Sequence, residues 1–78
     1  MSESVLEVDA SGLKCPLPVL KARKAIRPLA PGALVRVIST VPASPLDFAH
    51  FCQSTGHELV ETSEADGRFV FVLRKAAA

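Results

Sequence analysis

The stretch Cys15-Pro16-Leu17-Pro18 lies where an extended segment gives way to a helix. Proline is favoured in the first turn of a helix, because N–H groups there have no intrahelical acceptor and the ring already holds φ near the helical value. Pro16 is therefore predicted to be the first helical residue, with Cys15 as the N-cap. This placement predicts a solvent-facing thiol at the amino-terminal end of a helix.

Cys15 is the candidate reactive residue. The positive end of the helix dipole favours a thiolate, and the charge of Lys14 acts in the same direction. Pro16 and Pro18 have no N–H to donate, so only Leu17 can donate a hydrogen bond from the first turn. We therefore expect the pKa of the Cys15 thiol to be moderately lowered. The alternative interpretation is a buried apolar cysteine without chemistry, since free cysteines are often buried.

The residues after the motif predict a first helix from Pro16 to about Leu29, and Gly32 after Pro31 is predicted to close the connection that follows. Its inward-facing stripe consists of Val19, Ala22, Ala25, Ile26 and Leu29. Leu17 and Leu20 fall on the opposite side, among basic residues. Exposed leucines can be incidental, but two leucines beside a reactive thiol and rimmed by cations indicate a docking patch for an acidic partner surface. The predicted patch consists of Lys14, Leu17, Leu20, Lys21 and Lys24.

Four further segments alternate or run apolar as strands do. The predicted strands are Val5 to Asp9, Ala33 to Thr40, His57 to Ser63 and Arg68 to Lys75, the last two joined by a hairpin at Asp66-Gly67. The order βαβαββ predicts an α+β fold, a two-layer α/β sandwich with a four-stranded mixed sheet and both helices on one face. The other face is expected to stay partly apolar, which leaves room for a partner contact, and we expect a monomer or a weak homodimer.

The second helix is predicted to begin with Ser44 as N-cap, with Asp47 completing an approximate capping box. Gly56 is predicted to end it. Its inward residues are expected to be Phe48, Phe51, Cys52 and Thr55. Cys52 is therefore expected to pack in the core, although a role as a resolving thiol remains open.

Length and composition limit the classes of protein to which this chain can belong. At 78 residues we expect a single domain with a core over about residues 5–75. A hydrophobic content of 49% excludes a disordered chain. A net charge of +1 without Trp or Tyr gives no reason to expect direct nucleic-acid binding. The apolar runs are too short for a membrane span, and the first residues do not resemble a signal peptide, so we expect a cytoplasmic location.

Two cysteines in such a chain predict free thiols more than a disulfide. The spacings of His50 and His57 relative to the cysteines match no known zinc site, so no metal is predicted. No cofactor is predicted either.

A longer pattern surrounds the thiol motif. It reads Asp9-x-x-Gly12-x-x-Cys15-Pro16-x-Pro18 followed by a basic helix, and continues with Leu29-x-x-Gly32, Pro42-x-Ser44-x-x-Asp47, Phe51-Cys52, Gly56-His57-Glu58-Leu59 and the strand from Phe69 to Lys75. In these residues the chain resembles the TusA/SirA family of small sulfur-carrier proteins with a CPxP signature. The resemblance covers nearly the whole chain and implies the same two-layer fold.

The resemblance implies that Cys15 accepts sulfane sulfur as a persulfide and passes it to an acceptor protein. It implies a carrier with sulfurtransferase chemistry more than an enzyme that turns over alone. The residues expected to position the thiol are Asp9, Gly12, Pro16, Leu17 and Pro18. For Asp9 we expect a structural role, with its carboxylate accepting hydrogen bonds from backbone N–H groups of the following turn.

The resemblance also suggests a cysteine desulfurase, or another sulfane-sulfur donor, and a downstream acceptor in tRNA thiolation, molybdenum cofactor synthesis or sulfur oxidation. Val41 stands where the family commonly has an acidic residue, which puts the particular acceptor in doubt. Two other hypotheses stay open. One is a non-catalytic interaction module in which Cys15 is incidental, and the other is thiol–disulfide exchange between Cys15 and Cys52.

Overall fold

The computed structural model describes residues 5–76. Its elements are β1 (Val5–Ala10), α1 (Leu17–Ile26), β2 (Leu34–Ser39), α2 (Ser44–Thr55), β3 (Glu58–Ala65) and β4 (Arg68–Arg74). The strands form one sheet in the order β1-β2-β4-β3. β1 and β2 run parallel, whereas β4 is antiparallel to both of its neighbours. The predicted α+β fold with its mixed sheet and βαβαββ order is confirmed.

Both helices pack on one face of the sheet and share a single core with it. Burial alternates along β4, because Phe69, Phe71 and Leu73 are buried whereas Val70 and Val72 are half-buried on the other face. The ring of Phe48 from α2 stacks on Phe71, with centroids 4.5 Å apart. Burial of these large side chains is the main favourable term for folding.

The strands end close to their predicted bounds, with β1 extending to Ala10 and β3 beginning one residue later and ending two residues later than expected. Leu6 lies on the same face of β1 as the buried Val8 but is 44% exposed at the start of the strand. Asp66 and Gly67 both have positive φ, of 54° and 75°, as a two-residue hairpin turn requires. Within residues 5–76 no helix has the length and apolar character needed to cross a membrane.

The bounds predicted for α1 were wrong at both ends. The helix begins at Leu17, with Pro16 as N-cap, and Pro18 is buried. It ends at Ile26 and not near Leu29, because Pro28 has no N–H with which to continue the helical hydrogen bonds. The Nζ of Lys75 donates to the carbonyls of Ile26 and Arg27, at 3.1 and 2.7 Å.

The capping box predicted for α2 was also wrong. Ala43 is the N-cap and no side chain caps the helix. The Ser44 hydroxyl is buried and hydrogen-bonds the hydroxyl of Ser39 on β2 instead. Thr55 is exposed and donates to the Phe51 carbonyl, so it does not belong to the buried stripe. Gly56 ends the helix with a φ of 85°, as predicted.

Candidate functional site

The loop between β1 and α1 is fixed by side-chain hydrogen bonds. The Asp9 Oδ1 accepts from the Ser11 backbone N–H at 3.0 Å and from the Ser11 hydroxyl at 2.6 Å. These bonds lower the pKa of the Asp9 carboxyl. The Gly12 N–H donates to the Thr40 hydroxyl at 2.9 Å, which joins the loop to the end of β2. The bond to the Ser11 N–H is the structural role predicted for Asp9.

Lys21 connects α1 to the same loop. Its Nζ donates to the Asp9 carbonyl oxygen at 2.8 Å, and the Leu13 N–H donates to the Ala10 carbonyl at 3.2 Å. Leu13 itself is partly buried against the core. The segment before the thiol is therefore held at both ends, and a lysine predicted only for docking also has a structural contact.

Cys15 is exposed, as expected for a reactive thiol, but it is not the N-cap of α1. It lies within a turn in which the Leu17 N–H donates to the Lys14 carbonyl at 2.7 Å, and its peptide bond to Pro16 is cis. The one N–H of the first turn that we expected to face the sulfur is therefore engaged by the backbone. Gly12, Lys14 and Pro16 are exposed around this turn.

The Cys15 thiol has a partner that the sequence did not reveal. Its Sγ donates to the Oδ2 of Asp47, on the first turn of α2, at 3.2 Å. This hydrogen bond, then desolvation and the negative charge of Asp47, raises the pKa of the thiol. The predicted lowering of that pKa was wrong, because a carboxylate and not a helix N-terminus forms the nearest electrostatic contact.

A signal for Asp47 was present in the topology. β1 and β2 are parallel and each is followed by a helix, so the amino-terminal ends of α1 and α2 meet at one edge of the sheet. The motif that carries Cys15 precedes the first of these helices, and Asp47 lies in the first turn of the second. An acidic residue early in α2 was therefore a candidate neighbour for the thiol.

Next to the thiol, α1 presents an apolar surface with a cationic rim. Leu17 and Leu20 are 46% and 44% exposed, as predicted. They contribute to a depression of about 520 Å³, here called the α1 patch, lined by Leu13, Leu17, Leu20, Lys21, Arg23, Lys24 and Arg27. Lys14 is exposed but does not line the depression. The structure thus brings together four of the five residues predicted for docking.

The remaining candidate side chains lie elsewhere. Cys52 is 6% exposed and packs in the core, and burial raises its pKa. Both cysteines are free thiols. His50 is exposed on α2, whereas His57 is half-buried and its Nδ1 accepts from the Ala76 N–H at 2.9 Å. Over the described part of the chain, no group of three or more His, Cys, Asp or Glu residues could hold a metal ion.

Comparisons with known proteins agree with the motif and the fold. A family model described as Sulfurtransferase TusA matches residues 6–75. The sulfur carrier protein TusA of Allochromatium vinosum is 43% identical over 76 residues, which cover 97% of this chain and 100% of that protein. The TusA of Pseudomonas aeruginosa is 46% identical over 70 residues, covering 90% of this chain and 89% of that protein.

A solved structure shows the same fold. The crystal structure of a SirA-like protein from Desulfitobacterium hafniense aligns with a TM-score of 0.81 at 27% sequence identity, covering 94% of this chain and 99% of that one. Sequence, motif and fold therefore agree along nearly the entire chain. The chain belongs to the TusA sulfurtransferase family.

Proposed function

We propose that this protein is a sulfur carrier in which Cys15 holds sulfane sulfur as a persulfide. The observation that supports this most is the exposed Cys15, two residues before Leu17 of the α1 patch, in a chain that is 43% identical to a sulfur carrier protein. An exposed thiol next to a partly apolar surface can meet a partner's persulfide directly.

The exchange balances without any further reactant. The Cys15 thiolate attacks the outer sulfur of a donor persulfide, a new S–S bond forms on Cys15, and the donor's S–S bond breaks. The donor leaves as a thiolate and takes up a proton from solvent, which balances the proton that Cys15 released to solvent. The reverse reaction, with an acceptor cysteine as the nucleophile, delivers the sulfur.

The α1 patch is the proposed docking surface for both kinds of partner. Its four cations favour a partner with an acidic surface, and its exposed leucines supply apolar contact area. The proposed donor is a protein that forms a persulfide on its own cysteine, such as a cysteine desulfurase. The proposed acceptors are the sulfur-accepting proteins of tRNA thiolation, molybdenum cofactor synthesis or sulfur oxidation.

Loading with sulfur tests the proposal. The protein is incubated with a cysteine desulfurase and cysteine, and its intact mass is measured without reductant. We expect a gain of one sulfur atom that is lost in Cys15→Ser and retained in Cys52→Ala, because Cys52 is buried. A native protein that gains no sulfur would contradict the proposal and favour a non-catalytic interaction module of the same fold.

A further inference from the structure

The proposed function gives no role to the contact between Cys15 and Asp47. Asp47 is partly buried on the first turn of α2, and its Oδ2 lies 3.2 Å from the Cys15 Sγ. A carboxylate can only accept hydrogen bonds, so the thiol must supply the proton. The contact therefore exists only while Cys15 is a neutral thiol, and ionisation would place two negative charges at this distance.

We propose that Asp47 holds the resting Cys15 thiol in its protonated form, so that the free carrier reacts slowly with electrophiles and sulfur exchange begins when this contact is broken. The part of this inference that concerns sulfur exchange rests on the proposed function. The contact itself, and its effect on ionisation, do not depend on that function.

Asp47 is the charged group that acts on the thiol pKa. The other titratable groups on the elements near the thiol are Asp9 on β1, Lys14 in the loop, Lys21 on α1 and His50 on α2. The Asp9 carboxylate is engaged by Ser11, and the Lys21 ammonium donates to the Asp9 carbonyl. Of the described residues, Asp47 alone hydrogen-bonds the sulfur. The direction of the thiol pKa, which is raised, agrees with this arrangement.

A partner can release the thiol by electrostatics alone. A cationic group that pairs with Asp47 would remove the acceptor from the S–H and neutralise the nearby negative charge. The proton then passes to solvent, and the Cys15 thiolate attacks the outer sulfur of the donor. The contact would thus restrict reactivity to complexes in which Asp47 is paired.

The test measures ionisation of Cys15 without any sulfur donor. The rate of alkylation by iodoacetamide, which is uncharged, is followed against pH, with the label assigned to Cys15 or Cys52 by peptide mass spectrometry. The variants are Asp47→Asn and Asp47→Ala, which remove the charge, and Asp47→Glu, which keeps it. Asp66→Asn is the matched control, because it removes one carboxylate from the hairpin turn.

We expect both neutral variants to shift the alkylation midpoint of Cys15 to lower pH and to raise the rate at neutral pH by roughly three- to tenfold. Asp47→Glu should lie nearer the native protein, and Asp66→Asn should match it. Cys52 should stay unlabelled in each folded protein, so its labelling identifies any variant that unfolds. Unchanged midpoints in the folded neutral variants, or an equal shift in Asp66→Asn, would overturn the proposal even if sulfur loading on Cys15 succeeds.

Discussion

His57 lies immediately before β3 and holds the end of the described chain. Its Nδ1 accepts the Ala76 N–H at 2.9 Å, and its ring lies against Phe51 with centroids 5.7 Å apart. A protonated imidazole has no acceptor atom, so this hydrogen bond requires the neutral ring. Burial, and next the charge of Lys75, lowers the pKa of His57 below its ordinary value of 6.5.

Acid should therefore weaken the fold in two separate pH windows. The pKa of His57 is lower in the folded protein than in the unfolded chain. The free energy of unfolding therefore falls as the pH drops below 6.5 and through the pKa of the folded state. Asp9, whose pKa is also lowered, stabilises above 3.8 and loses its contribution at lower pH. Urea unfolding between about pH 7.5 and 5.5 isolates the histidine effect.

Two variants test whether His57 causes this pH dependence of stability. His57→Gln should reduce the fall in unfolding free energy between the two pH values, whereas His50→Gln, on the exposed side of α2, should leave it unchanged. If both variants retained the native pH dependence, the neutral His57 would not be its source.

At the scale of single residues, the sequence predicted the side-chain contacts made between residues close together in the chain. The bond from Asp9 to Ser11 spans two residues and follows from the turn preferences of aspartate. The Cys15–Asp47 contact spans 32 positions and depends on how two helices are brought together. The pKa of the thiol could not be predicted from the CPxP motif alone, because the dominant group belongs to another element.

The helix α1 has two faces with different tasks. Ala22 and Ile26 are buried against the sheet, whereas the α1 patch faces outward beside the thiol. Because Lys21 also bonds the Asp9 carbonyl, its substitution would disturb both the loop and the patch. Lys24 is the better probe of docking, since it is exposed and lines the patch.

Reversing the charge at Lys24 should slow loading without unfolding the protein. We expect Lys24→Glu to lower the bimolecular rate of sulfur acceptance from a desulfurase by about tenfold at low salt, because electrostatic attraction steers association. The rates can be measured by quenched-flow alkylation and mass spectrometry. The difference from the native protein should shrink as salt screens the charges.

Arg74→Glu is the control for net charge. Arg74 lies at the end of β4 and pairs with the exposed Glu58, an interaction worth at most about 1 kcal/mol. Its reversal should leave the loading rate close to native. Equal slowing by the two reversals would point to net charge and contradict docking on the α1 patch.

The ends of α1 and α2 differ from those predicted by apolar spacing and by capping preference. The apolar spacing continues to Leu29, but Pro28 cannot donate the next hydrogen bond, so the helix ends at Ile26. Ser44 fits an N-cap by residue type, yet its hydroxyl is buried against Ser39. Proline positions and apolar spacing predicted both helices, whereas the end of α1 was decided by a missing donor and the start of α2 by a contact with β2.

The core of the molecule lies between the two helices and the one face of the sheet that they cover. Phe71 is fully buried at the centre of this face, stacked on Phe48 and close to Phe69. Val72, the next residue, points to the uncovered face and is half-buried. Phe71 and Val72 are therefore adjacent in one strand but differ in how far their side chains are buried.

Truncating these neighbours should separate the two faces. Phe71→Ala should lower the free energy of unfolding by roughly 3–5 kcal/mol, a large part of the total for a domain of this size. Val72→Ala should cost much less. Urea denaturation of both variants measures the difference, and similar losses would show that the uncovered face is packed as well.

The fold was predictable because its signals are regular and local. The alternation on β4, the Asp66-Gly67 turn and the apolar β2 each indicate their element independently. The parallel pairing of β1 and β2 then places both helix N-termini at one edge, where Cys15 meets Asp47. The site is thus a product of the topology as much as of the motif.

A sulfur-35 chase most directly tests whether Cys15 carries and releases sulfur. The protein is charged from labelled cysteine by a desulfurase, separated from the donor and then treated with a dithiol. We expect a single labelled sulfur per chain, bound at Cys15 and released completely by the dithiol. Label on Cys52, or label that survives reduction, would contradict the persulfide carrier.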